Sequence, residues 1–176
     1  MSDTLPLPHP SHSTHSAVPL WIRPYQPCDL PAIAQLFYDT VHLINAKDYT
    51  PAQIQAWAPH VYDIAYWQER FQRYAVYVAE ASGTVAGFAE FESTGHIDCF
   101  YVHHQWQRQG VGSHLIAQIE AQAHHQQIAR LFADVSLTAR PFFEHHGFVV
   151  ERSHQKLYQG ENFQQFVMAK QRMVPD

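Results

Sequence analysis

Cysteine is almost missing from this 176-residue chain, Cys28 and Cys99 being the whole complement. Two cysteines cannot staple a disulfide framework, so the expected setting is a reducing, cytoplasmic one. Charge is sparse too, with 11 Lys and Arg against 16 Asp and Glu and a formal net charge of -5. A surface without basic excess is unsuited to non-specific phosphate-backbone binding, so no nucleic-acid partner is expected. No apolar run approaches the roughly 20 residues that a membrane-spanning helix needs. The first residues also lack a basic segment followed by an apolar one, so neither a membrane partner nor a secretory leader is expected. What the chain has in quantity is apolar and aromatic side chains, 46% and 14% of the total. At this length they suffice for one domain with an aromatic-rich core.

The first 18 residues differ from the rest. Met1 to Val18 mix Pro, Ser and His with almost no apolar periodicity, a composition that does not pay for ordering, and a disordered tail is expected there. His9, His12 and His15 recur every three residues, but without Cys or acidic partners they do not make a metal site, and no metal is expected. Residues 19–172 are expected to form the single domain.

Seven glycines are few, and two of them stand in Gln107-Arg108-Gln109-Gly110-Val111-Gly112. The run before this segment, His96 to Val102, is β-branched and aromatic and reads as a strand. After it Val111, Leu115, Ile116, Ile119 and Ala123 recur at helical spacing. The glycines therefore lie where a strand feeds a helix N-terminus, whose unpaired N–H groups and positive dipole end suit an anion. A P-loop would continue Gly-Lys-Ser/Thr, and it does not. A dinucleotide fingerprint would place a third glycine where Leu115 stands.

Elsewhere the pattern alternates. Leu20 to Pro24 reads as a strand, and Asp29 as the cap of a helix burying Ile33, Leu36, Phe37 and Val41. Thr50-Pro51-Ala52-Gln53 is a capping box with proline in the first turn, opening a short helix to Trp57. Asp63 is expected to cap another, with Ile64, Trp67 and Phe71 inward. Val76–Ala81 and Val85–Glu92 form a hairpin about Ser82-Gly83. A strand at Leu131–Val135, a short helix from about Thr138 and two strands about Gly160-Glu161 complete the chain. The expected class is α/β of the α+β type. It comprises a mixed, mostly antiparallel sheet of six to seven strands with about four helices.

Taken together, Gln/Arg-x-x-Gly-x-Gly/Ala, Trp21-Ile22-Arg23-Pro24, Val85-Ala86-Gly87-Phe88, Tyr101-Val102-His103 and the closing Ala139…Phe142-Phe143-Glu144-His145-His146-Gly147-Phe148 resemble the GNAT superfamily of N-acetyltransferases. The resemblance runs from about Leu20 to Lys170. The segment His42 to Pro59 is similar to bacterial YafP-like members. The resemblance implies a sheet splayed at the coenzyme strand, with acetyl-CoA as co-substrate and an amine as acceptor, on a small molecule or peptide. It implies a monomer or homodimer.

The resemblance also implies roles. The pantetheine arm of the coenzyme would lie along Phe100, Tyr101 and Val102, with the Val102 N–H donating to the thioester oxyanion. The pyrophosphate would take the loop of Gln107, Arg108, Gln109, Gly110, Val111, Gly112 and Ser113. Ser136 would touch the coenzyme arm or cap the next helix. Phe143 departs from the tyrosine that many members carry as the acid for the leaving thiolate. Either the thiolate leaves unassisted or Tyr158, Tyr101 or Cys99 serves.

For the general base, His96 aligns with the glutamate of histone-type members, and Asp98 shares its strand face if no bulge intervenes. Glu90 and Glu92 are further options. Asn45, Tyr49, Trp57 and Tyr62 would line the acceptor pocket. Two other readings stay open. One is an acyl-CoA-binding sensor without efficient transfer, motivated by Phe143; the other is a tRNA-acetylating toxin, which the acidic balance disfavours.

Overall fold

The computed structural model describes residues 19–172. The tail with His9, His12 and His15 lies outside the described residues. Among the described residues, seven strands form two antiparallel sheets. The first has the order β1-β2-β3-β4, with β1 at Leu20–Pro24, β2 at Ala75–Ala81, β3 at Thr84–Phe91 and β4 at Ile97–Val102. The second has the order β5-β7-β6, with β5 at Arg130–Ser136, β6 at Val149–Tyr158 and β7 at Glu161–Gln171. Five helices cover them: α1 at Leu30–Leu43, α2 at Pro51–Trp57, α3 at Ile64–Phe71, α4 at Val111–His125 and α5 at Arg140–His145.

The two sheets touch at one end only. His96 and Phe132 form a single parallel bridge, and the Phe132 N–H donates to the Gly95 carbonyl at 3.0 Å. Beyond that seam β4 pairs with β3 and β5 with β7, and no ladder joins β4 to β5. The sheet is splayed, as expected. One core lies on the α4 side, built on Leu115, Ile116, Ile119, Leu131, Phe143 and Phe148. The other lies under α1, α2 and α3, built on Leu30, Ile33, Leu36, Phe37, Trp67 and Phe88.

Local chemistry sets most element starts. The Thr50 hydroxyl accepts the Gln53 N–H while the Gln53 side chain accepts the Thr50 N–H, the reciprocal capping box, and α2 begins there. Asp63 accepts the Tyr66 N–H and starts α3. Trp67 and Phe71 are buried as expected, but Ile64 in the first turn is 44% exposed.

Asp29 is a correction. A 3-10 turn over Pro27–Asp29 runs directly into α1, so Asp29 is already helical and its side chain caps nothing in α1. Its carboxylate instead accepts from Arg23 Nη1 and Nη2 at 2.7 and 2.8 Å, and from the Gln26 N–H at 2.7 Å. These bonds, led by that from Arg23, hold the carboxyl below the usual range against the opposing effect of burial. A folded-state pKa below the unfolded one means the stabilisation is complete above the unfolded value of about 3.9 and is lost as pH falls through the folded one. Asp29→Asn is therefore expected to lower the melting temperature at pH 7. The gap from wild type should shrink below about pH 4. Melts at pH 7 and pH 3 check this, and a gap that does not shrink would refute it.

Candidate active site

Register decides which groups the splay exposes. The His103 N–H donates to the Ala86 carbonyl, and Val102 stands opposite Gly87. Bonding alternates along an antiparallel ladder, so the peptide groups of Val102 and Phe100 face away from β3, toward the gap before β5. The Val102 carbonyl is already held there, by the Thr40 hydroxyl at 3.2 Å and the Gln107 side-chain amide at 2.6 Å. Gln107, expected to touch coenzyme, thus also fixes the end of β4.

A bulge overturns one expectation about β4. Ala89 pairs with Phe100 and Phe91 with Ile97, so Glu90 alone opposes Asp98 and Cys99. Alternation is broken at that point. Ile97, Phe100 and Val102 pack on the α4 side, whereas Cys99 and Tyr101 pack on the α3 side, where Arg70 reaches Asp98 and Cys99. His96, Asp98, Phe100 and Val102 do not share a face. His96 stacks on Phe132 at the seam, 5.0 Å between ring centroids. It lies outside the lining of the cavity described below.

Asp98 does reach the cavity, but as part of a network. Arg70 binds the fully buried Glu90 through two nitrogens, at 2.8 and 2.7 Å, and binds Asp98 as well. The Tyr74 hydroxyl donates to Asp98 at 2.8 Å. Burial works against ionisation of Asp98, but the Arg70 charge and the Tyr74 hydroxyl prevail and its carboxyl is lowered. For Glu90 burial prevails over Arg70 and the carboxyl is raised. Glu92, the other carboxylate considered, accepts from Thr94 and lies outside the cavity lining.

The gap between the sheets opens into a cavity of about 410 Å³. Of the residues singled out from the sequence, it brings together Asn45, Tyr49, Trp57, Tyr62, Asp98, Phe100, Tyr101, Val102, Gln107, Ser136 and Phe143. Trp57 packs edge-on against both Tyr49 and Phe163. The Tyr49 hydroxyl accepts the Leu137 N–H at 2.8 Å, tying the segment before α2 to the end of β5. The Ser136 hydroxyl accepts the Ala139 N–H, so it does cap the turn into α5. Phe143 is buried, with its ring edge-on to Phe100.

All three alternative proton donors, Tyr158, Tyr101 and Cys99, line the cavity as well. Burial pushes the Tyr101 phenol and the Cys99 thiol well up. Tyr62 is raised by burial and by its bond with Tyr158.

The glycine loop forms the other end of this region. Gly110 caps α4 at φ +84, a left-handed conformation that suits glycine. The next three amides, Val111, Gly112 and Ser113, occupy the first turn and have no intrahelical acceptor. Gly112 answers a different need, since a Cβ there would come within 2.8 Å of the Phe142 ring. The Ser113 hydroxyl lies 3.1 Å from His146 Nε2. Arg108 and Gln109 are exposed at the start of the loop.

Sequence reasoning missed Arg70, Tyr66, Thr40, Phe142, Lys156, Phe163 and Gln165, all of which line the cavity. Period-2 spacing in the last hairpin was the available signal, because it puts 156 and 158, and 163 and 165, on matching faces. The pairing of Lys156 with Phe163 is what joins them.

A family model described as an acetyltransferase (GNAT) domain matches residues 45–170. The chain belongs to the GNAT superfamily. It is an N-acetyltransferase by that membership. An uncharacterised N-acetyltransferase from Escherichia coli, YafP, is 31% identical over 147 residues, covering 84% of this chain and 93% of that protein. The crystal structure of a GCN5-related N-acetyltransferase from Rhodopseudomonas palustris superposes with a TM-score of 0.81 at 30% identity. That match covers 92% of this chain and 99% of the other. The PaiA N-acetyltransferase of Thermoplasma acidophilum, solved with coenzyme A, shares the fold at 19% identity and a TM-score of 0.73, covering 88% of this chain and 99% of its own. Among the described residues of this GNAT protein, no helix is long and apolar enough to cross a membrane.

Proposed function

We propose that the protein moves the acetyl group of acetyl-CoA directly to the amine of a small molecule held in the aromatic cavity. The observation that carries this reading is the Val102 peptide group facing the splay between β4 and β5. From there its N–H can meet a thioester oxygen as negative charge develops on it, the preorganised donation that oxyanion stabilisation requires. The pyrophosphate would take the free first-turn amides of α4 at Val111, Gly112 and Ser113. Phe100 and Phe143 would flank the acyl end. Tyr49, Trp57, Tyr62 and Tyr66 give the acceptor an apolar, aromatic surround, which favours an amine on a flat or greasy body.

Three acts are needed: loss of a proton from the amine, attack on the carbonyl carbon, and departure of the thiolate. Two carboxylates line the cavity, Asp98 and Asp134. Asp134 stands beside His154. Asp98, ionised near neutrality though its lowered pKa weakens it as a base, would take the amine proton through a water. A thiol of pKa about 8.5 leaves tolerably without an acid, so Phe143 need not be replaced in function. His96, stacked at the seam, has no part.

A thermal-shift screen with acetyl-CoA followed by thiol-release assays across an amine panel tests the reading. Release with an amine is expected. The Phe143 departure favours the second reading, an acyl-CoA sensor, and binding without release across the panel would establish that instead. On a verified amine, Asp98→Asn is expected to lower turnover by ~10²-fold while acetyl-CoA affinity is kept. His96→Ala should leave both near wild type. Because Asp98 is already ionised, the rise of rate with pH should track the pKa of the chosen amine. Equal turnover in wild type and Asp98→Asn would remove the base assignment.

A further inference from the structure

One cluster of side chains outside the cavity is arranged for a ligand that acetyl transfer does not use. Asp39 on α1 meets His103 and His104, which directly follow β4. The three side chains are part-buried, and one ligand atom from each lies within 4.8 Å of the others. We propose that Asp39, His103 and His104 form a binding site for a divalent transition-metal ion, zinc being the ion the donor set suits.

Two imidazole nitrogens and one carboxylate oxygen are borderline donors of the kind zinc takes, and three protein ligands leave one position for water. An ion about 2.1 Å from each donor would bring the donors to about 3.4 Å apart, a closure that requires the two imidazoles to turn out of their stack. The surroundings are those of a ligand set. Asp39 Oδ1 accepts the Gln35 side-chain amide at 2.8 Å, one turn back on α1. That bond orients the carboxylate and leaves Oδ2 for the ion. The two imidazoles stack, with centroids 4.2 Å apart. His104 Nδ1 is buried with no hydrogen-bond partner, so one of the three side chains carries an unsatisfied polar atom. His103 Nδ1 accepts the Gln105 N–H at 3.2 Å. Loading through Nε2 moves the ring proton to Nδ1 and leaves the exposed Gln105 amide to water.

The position gives the site a mechanical consequence. Asp39 precedes Thr40 and His103 follows Val102, and the Thr40 hydroxyl already donates to the Val102 carbonyl. An ion bridging Asp39 to His103 and His104 clamps α1 onto the end of β4. This holds whatever reaction the cavity performs, and metal alone tests it.

Zinc is titrated into the full chain by calorimetry. One equivalent is expected that Asp39→Asn and His103→Gln each weaken by more than about 100-fold. Replacing His9, His12 and His15 together by alanine should leave that equivalent in place. Saturating zinc should raise the melting temperature of wild type and of neither cluster variant. Asp39→Asn preserves size and the acceptor for Gln35, and circular dichroism verifies its fold. Wild-type zinc affinity in both cluster variants overturns the site, as does loss of the equivalent in the tail variant alone.

Discussion

Gly110→Glu is expected to weaken acetyl-CoA binding by more than ~100-fold in a protein that still folds, because it both strains the loop and places a carboxylate where the pyrophosphate is proposed to lie. Gly110 sits at φ +84, where a side chain costs about 1–2 kcal/mol. There is room for one, since a Cβ would meet only the His114 ring, 3.6 Å away. The fold should therefore survive, and the added charge then faces the amides of Val111, Gly112 and Ser113 from the anion's own position. Gly110→Asn separates the two causes. Asparagine tolerates the left-handed region and brings no charge, so affinity should stay within about tenfold of wild type. Gly112 would be a poorer test, because substitution there drives into Phe142 and disturbs α5 packing. Calorimetric titration with acetyl-CoA, alongside melts of each variant, reads the result. Wild-type affinity in folded Gly110→Glu would sink the coenzyme assignment of the loop.

Arg70→Met should produce a large loss of stability. It leaves Glu90, fully buried near the end of β3, without its Arg70 partner, and it leaves Asp98 with the Tyr74 hydroxyl alone. Breaking a buried pair by removing one member costs about 3–5 kcal/mol. For a chain of this size that is a fall of roughly 6–20 °C in melting temperature. The same physics predicts recovery: Arg70→Met with Glu90→Leu should regain much of the loss, since an apolar pair of similar volume needs no desolvation of charge. A melting temperature for Arg70→Met within about 2 °C of wild type would show that the pair contributes little.

The contrast between Thr50 and Asp29 shows how far local patterns reach. Thr50 and Gln53 are three residues apart, so their reciprocal bonds depend on nothing beyond the turn itself, and the start of α2 was legible. Asp29 carries an equally good cap residue type. Its partner, however, is Arg23 on β1, and the competition between a helix cap and an ion pair across elements is not visible in a short window. The turn before α4 was legible for the Thr50 reason, because strand, glycines and helical periodicity are contiguous.

Strand β4 shows the opposite case. Simple alternation put His96, Asp98, Phe100 and Val102 on one face, and a two-to-one pairing against Glu90 undid it. Nothing within β4 announces that bulge, since it arises from how β3 and β4 meet. The seam at His96 and Phe132 likewise depends on two sheets packing, and it moves His96 from the base position to the closed end of the splay.

By itself, then, the order of residues determined the period of each element, the glycine loop at a helix start, the family, and an aromatic set at Tyr49, Trp57 and Tyr62. Those features are local, or are motifs carried in one stretch of chain. Tertiary structure alone decided that Arg70 joins Glu90 to Asp98, that the last hairpin lines the same cavity as α2, and that Asp39 meets His103 and His104. Each of those meetings spans elements far apart in sequence. Their geometry follows from strand register and helix docking, which the packing of the whole domain sets.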